Sequence, residues 1–215
     1  MKRFTLFTFI AVAFVALLNN NAAWAQTAPA TPAMLTAEER AEAAKYLAET
    51  RKNFLESVKG LSEAQWKFKP ALDRWSVAEV AEHIAISEET LFGMVTNQIM
   101  KSPAAPEKKE AAKGKEKLLP GMLTDRSSKF QAPEMLKPTN RWASQAELVK
   151  AFNASRDKTI AYVKTSQDDL RSHFGAHPVL KDLDAYQWLF LISGHSARHT
   201  AQILEVKADP NFPKQ

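Results

Sequence analysis

Two of the five histidines in this 215-residue chain lie four residues apart, within the stretch Gly194–Ile203. Apolar residues recur at three- and four-residue steps on either side, which is the spacing of one helix face. In a helix, His195 and His199 would share the stripe that faces the interior, about 6 Å apart along the axis, so both rings can reach one ion. An isolated pair of this kind is also typical of two core histidines satisfied by hydrogen bonds, because unpaired polar groups are costly to bury.

His83 is the residue that would complete a metal site. It lies in the first half of a helix that the sequence predicts to begin after Ser76, on a row that borders the apolar stripe. Facing helices lie about 8–10 Å apart, a gap that imidazoles can bridge around one ion. Three protein ligands leave positions open for water or substrate. The sequence therefore predicts a divalent metal ion held by His83, His195 and His199, and the absence of cysteine excludes thiolate ligands.

Four amphipathic helices of about 20 residues are predicted to position these histidines. Each begins at a capping residue, and three of them show a capping box, in which the N-cap is followed three residues later by glutamate. The predicted helices, written from cap to end, are Thr36–Val58, Ser76–Lys101, Ser144–Thr165 and Asp184–Lys207. No stretch alternates with the period of a β-strand. The pattern predicts an all-α four-helix bundle.

The connections between these helices differ in length. A short connector after the first helix contains Ser62, which can cap a short turn. The segment Pro103–Asn140 is rich in lysine, proline and alanine, and we expect part of it to fold over an end of the bundle. Arg171–Asp182 is predicted to be a loop. His173 and His177 share the four-residue spacing but lie in that loop, and we expect them to be exposed and outside the metal site.

The first 25 residues have the pattern of a secretory signal peptide. Two basic residues precede an apolar run over positions 4–18, and Ala23-Trp24-Ala25 is a cleavage box. An uncleaved membrane anchor is the alternative, but the run is short for a spanning helix. We predict a signal peptide over 1–25, a flexible lead-in over 26–35 and one bundle domain over 36–208. Cleavage near Ala25 would deliver the protein to the periplasm or outside the cell.

The charge pattern limits the partners of the exported protein. The formal net charge is +5, and loss of Lys2 and Arg3 lowers it to +3. The remaining lysines are scattered or lie in the long connection, so no basic face for nucleic acid is predicted. No other segment is long and apolar enough to cross a bilayer, so we expect no membrane association after cleavage. We expect a small-molecule substrate, and dimerisation of two copies through a bundle face is left open.

Two motifs in this chain resemble those of a known superfamily. Trp75, Ser76, Glu79 and His83 match a "W-S-x-x-E-x-x-x-H" pattern, and His195, His199, Gln202 and Ile203 match "H-x-x-x-H-x-x-Q-I". Their order and separation are similar to those of the DinB/YfiT-like superfamily, over roughly 36–206. The resemblance implies an up-down-down-up four-helix bundle with a long connection between helices two and three. It also implies nickel or zinc held by the three histidines, with activity as a thiol transferase or metal-dependent hydrolase.

Two features depart from that superfamily. Arg198 stands where many members carry a further histidine beside the second ligand. The signal peptide is also unusual, because the thiol-transferring members use cytosolic thiols. The first would remove a group beside the metal that is catalytic or supports a ligand, and the second argues against thiol transfer by this protein.

Three further polar residues are candidates for a role near the metal. Gln202, one turn beyond His199, would either hydrogen bond to water or substrate at the metal or brace a neighbouring helix. Glu79 would either orient the His83 ring or serve only the helix start, and we favour the second role. Glu88 is a candidate general base, although nothing in the sequence places it at the metal.

Two functions are compatible with these observations. One is an exported metal-dependent hydrolase or transferase acting on a small substrate. The other is a non-catalytic metal-binding bundle of the cell envelope, in which the ion joins helices or is itself the cargo. The sequence shows no oriented base or nucleophile beside the histidines, so the case for an enzyme rests on the metal alone.

Overall fold

The computed structural model of this chain describes residues 34–128 and 130–214. The predicted signal peptide and nearly all of the lead-in lie outside these residues, and the domain limits 36–208 stay a prediction. Among the described residues, no helix has the length and apolar character needed to cross a membrane. The long helices are α1 (Ala37–Val58), α3 (Val77–Asn97), α6 (Gln145–Thr165) and α7 (Ala185–Lys207), and the shorter ones are α2 (Glu63–Lys67), α4 (Lys109–Ala112) and α5 (Lys115–Thr124).

The long helices begin at the predicted caps. The side chains of Thr36, Ser76 and Asp184 each accept a hydrogen bond from the backbone N–H of the third helical residue. The side chain of that residue in turn accepts one from the backbone N–H of the cap. Ser144 caps α6 in the same way, but its partner Glu147 accepts from the N–H of the residue before the cap, so that box is incomplete. These contacts satisfy orphan N–H groups and explain why the helix starts can be read from the sequence.

Contacts at the helix ends give the direction of each helix. The Tyr186 hydroxyl donates to the Glu39 carbonyl at 2.9 Å near the start of both α1 and α7. Lys207 donates to the Ser57 carbonyl at 2.7 Å near the end of both helices. Helices α1 and α7 are therefore parallel.

Helices α3 and α6 run in the opposite direction. The Phe92 and Tyr162 rings, both late in their helices, pack with centroids 5.6 Å apart, so α3 and α6 are parallel to each other. Arg40 near the start of α1 donates to the Val163 carbonyl near the end of α6, which makes those two antiparallel. Both α1 and α3 pack against α6 and α7. The up-down-down-up four-helix bundle is confirmed.

A short β-hairpin lies where the sequence predicted only a loop and no strand. Strands β1 (Phe174–His177) and β2 (Lys181–Asp184) pair antiparallel, and β2 leads directly into α7. Gly175 permits the close approach of this hairpin to the bundle, since a Cβ there would lie 2.6 Å from the Ile99 side chain. The strands are only four residues long, so their alternation is too brief to distinguish them from a loop by sequence.

The long connection between α3 and α6 contains α4, α5 and several single turns. Helix α3 ends at Asn97, before the predicted end, and a 3₁₀ turn carries the chain through Lys101. Helix α5 lacks a side-chain cap and contains Pro120, so local signals oppose it. It packs along α7 instead, where Leu123 lies so close to Gly194 that a Cβ would come within 2.5 Å. Part of the connection thus covers one face of α7.

Candidate metal centre

The three predicted histidine ligands meet between α3 and α7. Nε2 of His83 lies 3.2 Å from Nε2 of His195 and 3.2 Å from Nε2 of His199. The His83 side chain is buried and the other two are partly buried. One ligand atom from each ring lies within 4.8 Å of the others, an arrangement that could hold a metal ion. The antiparallel packing of α3 on α7 brings the start of one helix beside the second half of the other.

Hydrogen bonds on the far side of two rings decide where their protons lie. Nδ1 of His83 is 2.7 Å from the carbonyl oxygen of Leu136, which can only accept, so Nδ1 carries the proton. Nδ1 of His199 is 2.9 Å from Oε1 of Gln202, which likewise accepts. In the neutral rings, Nε2 of His83 and His199 therefore both present lone pairs to each other. Two lone pairs at 3.2 Å repel, and a cation between them would remove that repulsion.

The spacing and chemistry of the donors fit a divalent ion. Zinc–imidazole bonds of about 2.0–2.1 Å give a nitrogen–nitrogen edge of about 3.3–3.4 Å in a tetrahedral site. The 3.2 Å separations are close to that edge. Imidazole suits zinc and nickel alike, so the donors do not distinguish the two metals. Three neutral ligands would leave the full charge of the ion available to a fourth group.

The surroundings keep the three rings neutral. Burial, together with the neighbouring histidines, lowers the pKa of His195 well below its ordinary value. Burial and the nearby His83 lower the pKa of His199 to about 3. The pKa of His83 is lowered by burial, although its bond to the Leu136 carbonyl opposes the shift. Neutral imidazole is the form that binds metals, so protons compete weakly at this centre.

Trp75 and Gln202 both contact the centre. The Trp75 ring lies 5.0 Å, centroid to centroid, from the His83 ring, and forms part of the wall on that side. Gln202 holds the His199 ring through its carboxamide oxygen. This contact is a third possible role, in addition to the two considered for Gln202, because it fixes the orientation of a predicted metal ligand.

The carboxylates of α3 are engaged elsewhere. Both oxygens of Glu88 accept from the guanidinium of Arg156, at 2.8 and 2.6 Å, and the two side chains are fully buried. Glu79 accepts from the Ser76 N–H and pairs with Lys69 at 2.8 Å, as a capping glutamate does. Glu88 is thus held in an ion pair, which does not leave it free as a general base.

The remaining histidines lie apart from this centre. His173 hydrogen bonds to the Ser102 carbonyl at 2.7 Å, and the His177 ring packs against Trp188. Both are partly buried, and His177 belongs to β1, so the expectation of exposed loop residues was wrong in that respect. The three-histidine group contains neither of them.

Sequence reasoning missed two contacts on the α3 side of the centre. The Leu136 carbonyl reaches His83 from a segment 53 residues away. The neighbouring Glu82 is buried and accepts N–H groups from the same segment. No sequence signal marked Glu82, because glutamates also lie three residues before it and seven residues after it on the same helix face. Its backbone partners were not visible, because any residue can supply an N–H group.

Comparisons with known proteins agree with this fold. The model of the DinB superfamily matches residues 46–203, a range that includes all three histidines. The uncharacterized protein YuaE of Bacillus subtilis (strain 168) is 28% identical over 159 residues, covering 74% of this chain and 93% of YuaE. YfiT from Bacillus subtilis, described as a probable metal-dependent hydrolase with an unusual four-helix bundle topology, superposes with a TM-score of 0.53. At 14% identity, over 85% of this chain and 94% of YfiT, that likeness concerns the fold. This chain belongs to the DinB superfamily.

Proposed function

We propose that this protein is an exported metal-dependent hydrolase of a small substrate, with nickel or zinc held by His83, His195 and His199. The observation that carries the proposal is the pair of Nε2 lone pairs facing each other at 3.2 Å, on rings whose Nδ1 atoms are hydrogen bonded elsewhere. The description of YfiT as a metal-dependent hydrolase supports the same reaction class. Export is supported by the signal-peptide pattern of the first 25 residues.

The chain supplies binding and orientation in this proposal. A divalent ion held by three neutral imidazoles polarises a carbonyl or phosphoryl oxygen and lowers the pKa of water. His83 and His199 are fixed in one tautomer by Leu136 and Gln202, so their lone pairs already point to the common centre. The Trp75 ring offers an apolar surface beside them. Hydrolysis fits better than thiol transfer because the predicted compartment lacks the cytosolic thiols used by thiol-transferring members.

Metal content of the purified protein tests the first step. The full-length chain, purified after processing by the cell, should retain about one divalent ion after nickel or zinc loading and dialysis. His83→Ala and His199→Ala should retain far less. Absence of stoichiometric metal in the loaded wild type would overturn the proposal. The mass of the purified protein reports cleavage after Ala25 in the same preparation.

A substrate screen tests catalysis. Metal-loaded protein should hydrolyse members of a panel of small amides and esters, and the activity should vanish with chelator and return with metal. A protein that binds metal, melts at a much lower temperature without it and hydrolyses none of the panel would instead be a non-catalytic metal-binding bundle. Metal binding without hydrolysis would therefore refute the enzymatic part alone.

A further inference from the structure

The connection between α5 and α6 is attached to both helices that carry the metal ligands. On the α7 side, the guanidinium of Arg198 donates to the carbonyls of Leu123 at 3.1 Å, of Ser128 at 2.6 Å and of Asp125. Arg198 directly precedes the ligand His199. The Phe130 ring also packs against this guanidinium, and Leu136, further along the connection, contacts His83 on α3.

On the α3 side, Glu82 holds the connection through three backbone N–H groups. Its carboxylate accepts from Thr139 at 2.8 Å, Asn140 at 3.0 Å and Arg141 at 2.9 Å. Glu82 is nearly inaccessible, with 5% of the surface of the residue exposed. Asn140 adopts a left-handed backbone conformation with φ of 61°, which helps successive N–H groups converge on one anion. A buried carboxylate is stabilised by such charge-assisted bonds and would be costly to bury without them.

The same connection, a few residues earlier, supplies the carbonyl that orients the His83 ring. Leu136, three residues before Thr139, ends a 3₁₀ turn and places its oxygen 2.7 Å from Nδ1 of His83. Glu82 and His83 are consecutive on α3, so one short stretch of helix both anchors the turn and receives its carbonyl. Without the anchor, the carbonyl would lie on a connection whose neighbouring residues Met135 and Lys137 are exposed.

We propose that Glu82 is a positioning residue for the metal centre. By fixing residues 139–141 it holds the Leu136 carbonyl against Nδ1 of His83, which keeps the proton on Nδ1 and the lone pair on Nε2. The inference rests on the proposed function, since it concerns the orientation of a metal ligand. Outer hydrogen-bond partners of metal-bound histidines typically contribute about 10–100-fold to metal affinity. By thermodynamic linkage, metal binding should shift the equilibrium between attached and detached residues 139–141 toward the attached form by the same factor.

A pair of matched substitutions on α3 tests the role of Glu82. Glu82→Gln keeps the size of the side chain but replaces one acceptor oxygen with an amide NH2 group, a donor that faces N–H donors. Glu79→Gln makes the same chemical change three residues earlier, at a carboxylate that accepts from the N–H of the cap and pairs with Lys69. In competition with a chelator at a temperature where all proteins are folded, Glu82→Gln should bind Zn²⁺ about 10–100-fold more weakly than wild type. Glu79→Gln should stay within about threefold.

The absorption spectrum of the Co²⁺-loaded protein separates positioning from general destabilisation. Glu82→Gln should shift the visible bands, because a ring freed from the Leu136 carbonyl changes the ligand geometry. Glu79→Gln should leave them unchanged. Equal Zn²⁺ affinity and identical Co²⁺ spectra for Glu82→Gln and the wild type would overturn the inference while leaving the metal centre itself intact.

Hydrogen exchange of the wild type provides a test that needs no variant. Addition of Zn²⁺ should slow exchange of the Thr139, Asn140 and Arg141 amides by about 10-fold or more, by reciprocity with the affinity effect. The amides of the β-hairpin serve as the internal control. If Zn²⁺ binds but slows exchange of the Thr139, Asn140 and Arg141 amides no more than exchange of the β-hairpin amides, Glu82 does not position the centre. If the wild type binds no Zn²⁺ at all, the proposed function fails first, so the two failures are distinguishable.

Discussion

Replacing Gln202 by leucine should weaken metal binding although every ligand remains. Oε1 of Gln202 accepts from Nδ1 of His199 at 2.9 Å and keeps the lone pair of that ring on Nε2. Metal on Nε2 draws electron density from the ring and makes the hydrogen bond charge-assisted, with a strength of about 1.5–3 kcal/mol. Outer partners of metal-bound histidines contribute about 10–100-fold in affinity, or about 1.4–2.8 kcal/mol. The two ranges agree, so we expect a loss of that size for Gln202→Leu.

Chelator competition measures this loss directly. Gln202→Glu should bind the ion more tightly than wild type, because a carboxylate attracts the Nδ1 proton more strongly and adds negative charge near the cation. Gln98→Leu makes the same change as Gln202→Leu at an exposed residue at the end of α3 and serves as the control. An unchanged dissociation constant for Gln202→Leu, with loss of binding in His199→Ala, would refute the tautomer argument. A larger dissociation constant for Gln202→Glu than for wild type would refute its electrostatic part.

Three other perturbations have expected outcomes. Ni²⁺ should quench the fluorescence of Trp75, whose ring is 5.0 Å from His83, and Trp75→Phe should lose most of the metal-dependent change in a titration. Glu88→Gln should lower the free energy of unfolding in urea by about 3–5 kcal/mol, because the buried Arg156 loses its paired charge, while Zn²⁺ affinity changes little. The metal-free protein should lose stability as pH falls below about 6.5. The pKa values of His195 and His199 are lowered in the folded protein, so these histidines bind protons in the unfolded chain at a pH where they stay neutral in the folded one. In urea unfolding at pH 7 and pH 5, His199→Gln should show a smaller decrease than wild type, and an equal decrease would contradict this reasoning.

Local signals in the sequence were sufficient for the main helices. Thr36, Ser76, Ser144 and Asp184 cap them as predicted, since a side chain that satisfies an orphan N–H group acts within three residues of itself. Helix geometry alone likewise places His195 and His199, four residues apart, on the same face of their helix. His83 was predicted from its row on a second amphipathic helix. The topology came from a resemblance to a known superfamily, because apolar periodicity does not specify which helices are neighbours.

Other features depended on the tertiary structure. Helix α5 forms despite Pro120 because it packs along α7, an interaction that local propensity does not encode. Glu88 was a candidate base from its type and place, but the fold pairs it with Arg156, 68 residues later. The sequence by itself determined which residues can be ligands and that two of them share a helix face. Only the packing of distant segments decided which nitrogen of His83 carries its proton, because that depends on a backbone carbonyl whose position no side-chain pattern reveals.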